Sequence, residues 1–358
     1  MADAENRQGE NQSEPHKRRV RYKGTHPRNF SEKYKELQPE KYADTLQHII
    51  EKGGTPAGTH RPIMVKEILS FLSVKPGQSG LDATLGYGGH TRELLHALKG
   101  EGHLCALDVD PIESKKTTAR LREEGFGPDL LSVRLQNFAD IDQAAAQEGL
   151  FDFVLADLGV SSMQIDNPER GFSYKTDGPL DLRLDPMHGE SAAERLVGIS
   201  KEELAGMFRE NADEPFAAEL AAAIVRRQKK GPKLKRTTEL ADVIAQTLSF
   251  LPEKERREAV KKSCQRVFQA LRIDVNQEYE VLYAFLEKLP GVLKPGGRAA
   301  ILTFHSGEDR LVKKCLKEGL RAGLYSAVAE DVTRPSAEEC ASNSRARSTK
   351  LRWAVRAL

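Results

Sequence analysis

Apolar and polar positions follow two different rhythms along this chain, and the change between them divides it. Val65–Leu72 carries apolar residues at helical spacing, Ser79–Thr84 reads as a strand, a glycine loop follows, Thr91–Leu98 returns to helix and His103–Leu107 to strand. The alternation continues through a helix over Ser114–Glu124, a strand at Leu131–Leu135, a helix at Ile141–Glu148 and the apolar run FDFVLADL at 151–158. Strands separated by helices predict βαβ units and a parallel sheet. Between 165 and 265 no stretch reads convincingly as a strand. Helix starts there carry capping-box spacing, Ser191 with Glu194 and Ser200 with Glu203, which predicts an inserted all-helical domain. Strand character returns at Arg298–Phe304, after an amphipathic helix over Asn276–Leu289 and the turn KPGG at 294–297.

The start of the chain stands apart. Few residues before 30 are apolar, and Lys17, Arg18, Arg19, Arg21, Lys23 and Arg28 crowd together, which reads as a disordered arm. A short helix is expected over Pro39–Lys52, where Tyr42, Leu46, Ile49 and Ile50 recur at helical spacing before Gly53 and Gly54. The expected organisation is an arm at 1–59, a first core segment at 60–164, the helical insertion at 165–265 and a second core segment at 266–358.

Composition narrows the class. The 358 residues exceed one ordinary domain, and the apolar share, about 45% with glycine counted and tyrosine left out, suffices for a globular core. The longest apolar run, Leu220–Val225, is far too short to span a bilayer, and the N-terminus lacks the apolar region of a secretory signal. Cys105, Cys264, Cys315 and Cys340 are widely spaced with no CxxC pair, so neither a zinc site nor a disulfide framework is indicated, and a reduced cytoplasm is the expected compartment. The 55 Lys and Arg against 53 Asp and Glu give a net charge of +2, so any polyanion must meet local patches. One such patch holds Arg226, Arg227, Lys229, Lys230, Lys233, Lys235 and Arg236; another holds Arg256, Arg257, Lys261, Lys262 and Arg266.

Candidate chemistry gathers at strand ends. LDATLGYGGH at 81–90 runs from a strand through Gly86, Gly88 and Gly89 into a helix, where glycines admit positive φ and the helix N-terminus favours an anionic group. Asp108 ends the next strand, where an acid accepts the hydroxyls of an adenosine ribose. Asn137 and Phe138 follow the third strand, and Phe138 serves either as an adenine-facing ring or as a core residue. DLGVSSMQID at 157–166 places Asp157 at the edge of the fourth strand and Ser161, Ser162 and Gln164 just beyond. Ser306 and Asp309 read as a helix cap, and with no GxSxG elbow they do not suggest a hydrolase.

This rim resembles that of class I S-adenosylmethionine-dependent methyltransferases. An NAD-dependent dehydrogenase would want GxGxxG and a second nucleotide half, neither of which is evident. The stretch ERGFSYKTDGPLDLRLDP at 169–186, with VFQALRIDVNQE at 267–278, TFHSGEDR at 303–310, RPSAEE at 334–339 and NSRARSTKLR at 343–352, resembles the RsmH (MraW) family, bacterial methyltransferases of small-subunit ribosomal RNA. The resemblance spans about residues 60–356. It implies a Rossmann-like core with a helical recognition insertion, S-adenosyl-L-methionine as cofactor, and N4-methylation of a decoding-site cytidine in 16S rRNA, within the small ribosomal subunit.

Carried over by motif, the family's cofactor contacts fall on Gly88, Gly89, His90, Asp108, Phe138, Asp157 and Gln164. No metal is implied, and the oligomeric state stays open, a homodimer included. The expected catalytic acceptor for the cytidine amine is Asp157 or a backbone carbonyl beside it. Phe172 or Tyr174 is expected to stack on the base, with His305, Arg226, Arg227, Lys229 and Lys230 as further substrate contacts. Where the family usually reads HPATRTFQALR, this chain has KSCQRVFQALR at 262–272, and FHSLEDR becomes FHSGEDR with Gly307, departures a divergent paralogue would carry. An RNA-binding assembly factor without activity and a methyltransferase acting on DNA or protein are the competing readings.

Overall fold

The computed structural model describes residues 62–358. The arm and the helix expected at Pro39–Lys52 lie outside the described residues. The first core segment follows the expected order: α1 (Val65–Leu72), β1 (Ser79–Asp82), α2 (Gly89–Leu98), β2 (His103–Asp108), α3 (Pro111–Glu123), β3 (Leu131–Leu135), α4 (Ile141–Glu148) and β4 (Phe151–Asp157). The β4 run is apolar because helices cover both faces of a parallel sheet, and Phe151, Phe153, Val154, Leu155 and Ala156 are fully buried. Its neighbour β1 needs Gly80, since a Cβ there would come within 2.0 Å of the Phe153 ring.

A helical block follows: α5 (Ser162–Asp166), α6 (Ala192–Gly198), α7 (Lys201–Ala212), α8 (Ala217–Lys230), α9 (Thr237–Thr247) and α10 (Glu253–Val275). Ser191 and Glu194 form the full capping box. At Ser200 only one of the two bonds forms, because the Glu203 carboxylate goes to Arg195 at 2.5 Å. The block has its own core, with Leu196, Phe208, Leu220, Ile224, Ile244, Val267 and Leu271 buried together. The boundary expected at 265 falls inside α10, whose apolar face is one continuous surface of that core.

The sheet is completed by β5 (Leu293–Thr303), after α11 (Glu278–Val292), and then by α12 (Ser306–Arg321), β6 (Tyr325–Val328), α13 (Ala337–Ser342) and β7 (Lys350–Arg356). The expected KPGG turn appears as an irregularity within β5, where Phe151 pairs with Leu293 but Phe153 with Arg298. Strand order is β3-β2-β1-β4-β5-β7-β6, parallel through β5, with β7 antiparallel to both neighbours. The order reverses between β1 and β4, and in such sheets ligands bind in the crevice beyond the strands' carboxyl ends at that reversal. Among the described residues no helix is long and apolar enough to cross a membrane.

Candidate active site

A cavity of about 530 Å³ opens at this switch point, a size suited to a nucleotide-like ligand. The core contributes Thr84, Gly86, Gly89, His90, Asp108, Phe138, Asp157 and Gln164; the helical block contributes Phe172, Tyr174, Lys175, Gln265, Phe268 and Arg272. Backbone geometry fixes the core side. Gly86 has φ +47° and donates its N–H to Asp108 Oδ2 at 2.8 Å, while Asp108 Oδ1 accepts from Asp110 N–H at 2.9 Å. Burial pushes the Asp108 carboxyl up to about 6 against these donors.

Gly88 does not line the cavity. It adopts φ +70° and faces α3, where a Cβ would meet Thr117 Cγ2 at 2.8 Å, so its lack of a side chain serves packing behind the loop. Buried Asp82 takes the Thr91 hydroxyl at 2.7 Å and fixes the start of α2 beside it.

His90 and Asp157 form a pair. His90 Nδ1 lies 3.2 Å from Asp157 Oδ2, and Nε2 lies 2.9 Å from the Ile63 carbonyl. Burial alone would strip the proton from His90, but the hydrogen bond and charge of Asp157 outweigh it and lift the imidazole to about 9. At neutral pH both ring nitrogens therefore donate. The Asp157 backbone N–H is held by Thr84 Oγ1 at 2.7 Å, and Oδ1 is buried with no hydrogen-bond partner among the described residues.

Gln164 lines the cavity with its amide in use: Oε1 accepts from Ser161 N–H at 2.8 Å and Nε2 donates to Asp110 Oδ2 at 2.9 Å. The same oxygen takes Arg170 Nη1 at 2.7 Å, and Arg170 Nη2 reaches the carbonyls of Arg183 and Leu184. Asp110, fully buried, also caps α3 through the N–H groups of Ile112 and Glu113. The pattern reading singled out neither Asp110 nor Arg170. An Asp before Pro111 is a legible cap signal; its partnership with an arginine sixty positions on is not.

On the facing wall Tyr174 packs edge-on against Phe268, and Phe172 is buried beneath Arg170. Phe138 lines the cavity and packs on the core side against Phe285, edge-to-face at 5.4 Å. His305 also lines the cavity, with Nε2 3.1 Å from Glu308. The cap of α12 falls one residue earlier than expected: the N–H groups of Phe304 and His305 donate to Glu308, while Asp309 turns to Lys350 and Arg352. Gly307 explains one departure from the family pattern, since a Cβ there would lie 1.9 Å from the Tyr279 hydroxyl. Ser263, in place of the usual proline, leaves α10 unbroken and donates to buried Glu214 at 2.9 Å. Arg226, Arg227, Lys229 and Lys230 lie outside the cavity lining. Three of them are exposed, and Arg227 folds back on the Pro232 carbonyl.

The family model and the similar sequences point to one family. The model of the MraW methylase family matches residues 57–357. Ribosomal RNA small subunit methyltransferase H 1 of Agathobacter rectalis is 67% identical over 96% of this chain and 98% of its own length. Methyltransferase H 2 of Alkaliphilus metalliredigens is 59% identical over 97% and 100%. An rRNA methylase structure from Streptococcus thermophilus aligns with 84% of this chain and 98% of its own at 13% identity and a TM-score of 0.39. With a family match over nearly all the described residues and relatives this similar end to end, the chain belongs to the MraW methylase family.

Proposed function

We infer that this chain transfers a methyl group from S-adenosyl-L-methionine to N4 of a cytidine in small-subunit (16S) ribosomal RNA, in the cytoplasm where subunits are assembled. The observation that carries the reading is the meeting in one cavity of a nucleoside-type rim, Gly86, Gly89, His90, Asp108 and Asp157, with the aromatic side chains Phe172 and Tyr174. The rim suits the cofactor. Asp108 stands where ribose hydroxyls would donate, Phe138 would flank the adenine, and Asp157 Oδ1 is a buried acceptor without a donor among the described residues. Gln164 joins this set through its place in the lining. When bound, S-adenosyl-L-methionine supplies a methyl group on a sulfonium, an electrophile that needs no further activation.

The chain's own residues must deal with the amine. Cytidine N4 is a poor nucleophile because its lone pair is delocalised into the ring. Asp157 Oδ1, or a backbone carbonyl beside it, accepts an amine N–H and returns electron density to nitrogen. His90 holds Oδ2 and keeps the carboxylate from turning away. Tyr174 and Phe172 supply the surface on which a splayed base stacks. Catalysis on this account is mostly positioning.

The helical block recognises RNA, with Arg226, Lys229 and Lys230 meeting phosphates and His305 closing the cavity beside the base. Binding should therefore weaken steeply with salt. The test is to incubate labelled cofactor with small subunits lacking the modification and map the labelled base. Label at N4 of a single cytidine supports the reading. Label on another base or on protein overturns it, and tight subunit binding with no transfer would make the protein an assembly factor without activity.

A further inference from the structure

The cation-rich segment after α8 and the loop bearing Phe172, Tyr174 and Lys175 are about sixty residues apart in the chain, yet they are fastened to each other. Asp177 makes the fastening. Its Oδ2 accepts from Arg236 Nε at 2.6 Å and its Oδ1 from the Thr238 hydroxyl at 2.6 Å. Backbone bonds flank it: Thr237 N–H to Gly178 O at 3.0 Å, Leu180 N–H to Lys235 O at 2.8 Å, and an antiparallel bridge between Pro179 and Arg236. The Thr237 hydroxyl adds a bond to Thr176 O at 2.9 Å. No side chain fits at Gly178, where a Cβ would sit 2.0 Å from the Pro168 carbonyl.

The basic turn is equally fixed at its other end. Leu234 is buried, its N–H donates to Gln228 Oε1 at 3.1 Å, and Lys233 Nζ reaches Gln228 O at 2.7 Å. Lys175, two residues before Asp177, is exposed and lines the cavity. Two residues of extended chain reach about 7 Å. The turn that carries exposed Lys233 and Lys235, and that follows Lys229 and Lys230 at the end of α8, is thus tied to the cavity mouth by Asp177 and the backbone bonds beside it, and none of the residues 226–236 is acidic.

We propose that Asp177 is a positioning residue that sets the distance between the phosphate-binding segment 226–236 and the base-binding loop 172–175, so that phosphates flanking the target nucleotide and the nucleotide itself are held in one register. The proposal rests on the RNA reading above. It separates two tasks that a basic patch alone would merge: Lys229 and Lys230 supply attraction, and Asp177 supplies alignment without touching substrate.

The experiment measures subunit binding against salt, single-turnover methyl transfer and cofactor-binding heat for the wild type, Asp177→Ala, Thr238→Val and Lys229→Ala/Lys230→Ala. Asp177→Ala should slow transfer on bound subunits by on the order of 10- to 100-fold, with the subunit salt slope and cofactor heat unchanged. Thr238→Val, which removes one of the two bonds, should fall between. The lysine pair should instead weaken binding and flatten the log–log salt slope by about 1.4 to 1.8. Asp177→Ala matching the wild type in transfer, or losing affinity in step with rate, overturns the positioning role. A wild type whose subunit binding ignores salt overturns the RNA reading and this proposal together, so the two failures are distinguishable.

Discussion

The two walls of the cavity are built on different principles. On the core side Asp108 lines the cavity with buried Asp82 and Asp110 behind it, each receiving donors from fixed backbone or from a buried side chain, and their positions follow from strand ends and helix starts. On the opposite wall stand rings and long side chains, Phe172, Tyr174, Gln265, Gln269 and Arg272, set by packing and by a few tethers. A cofactor of constant shape can be met by carboxylates locked in advance; a base drawn out of a large RNA is met by surfaces whose alignment depends on distant anchors.

Substitutions on each wall sharpen that contrast. Asp157→Ala should lower methyl transfer at saturating cofactor by about 10²- to 10⁴-fold, a loss larger than the drop in cofactor affinity. A parallel collapse of cofactor affinity would reassign the residue from chemistry to binding.

Next in size is the link between the walls. Arg170→Ala leaves Asp110 buried without its cation and should cost about 3–5 kcal/mol of stability in denaturant unfolding. A loss below 1 kcal/mol would show that the walls are held together elsewhere.

At the edge, Gly307→Leu should cost about 1–3 kcal/mol by overpacking against Tyr279. Adding Tyr279→Ala should recover much of it, which a double-mutant cycle reads directly.

Smallest are the pH effects. On the proposed reading ribose hydroxyls would donate to the Asp108 carboxylate, so cofactor affinity should fall as pH drops through about 6, by at most about tenfold per unit. Calorimetry between pH 5 and 7 measures it. For stability the same group works the other way: its raised pKa costs stability above about 6, and that cost is relieved as pH falls. His90 contributes stability that is complete below its ordinary pKa of 6.5 and is lost as pH rises through about 9. A His90→Gln variant should flatten thermal stability across that window.

The core elements were legible because their burial is local: β4 is apolar on both faces, and α1, β3 and α4 fall at the expected residues. The antiparallel pair β6 and β7 was not. Strand β7 buries Leu351 and Arg352 side by side, and Arg352 pairs through Nε with Asp309 from another element, so no alternation marks the strand. The glycine turn was found, but which glycine faces the cavity depends on Thr117 and Leu121 of α3, which nothing in the loop itself reveals. The basic run was visible as composition; its fastening to Asp177 is a matter of three-dimensional pairing.

Asp110 has a consequence for how the molecule can change. One carboxylate starts the helix behind Asp108 and receives the arginine that steadies the helical block. A lineage altering its RNA target by reshaping that block cannot discard Asp110 without also loosening the donor pocket, so innovation is confined to parts of the block that leave this shared anchor intact.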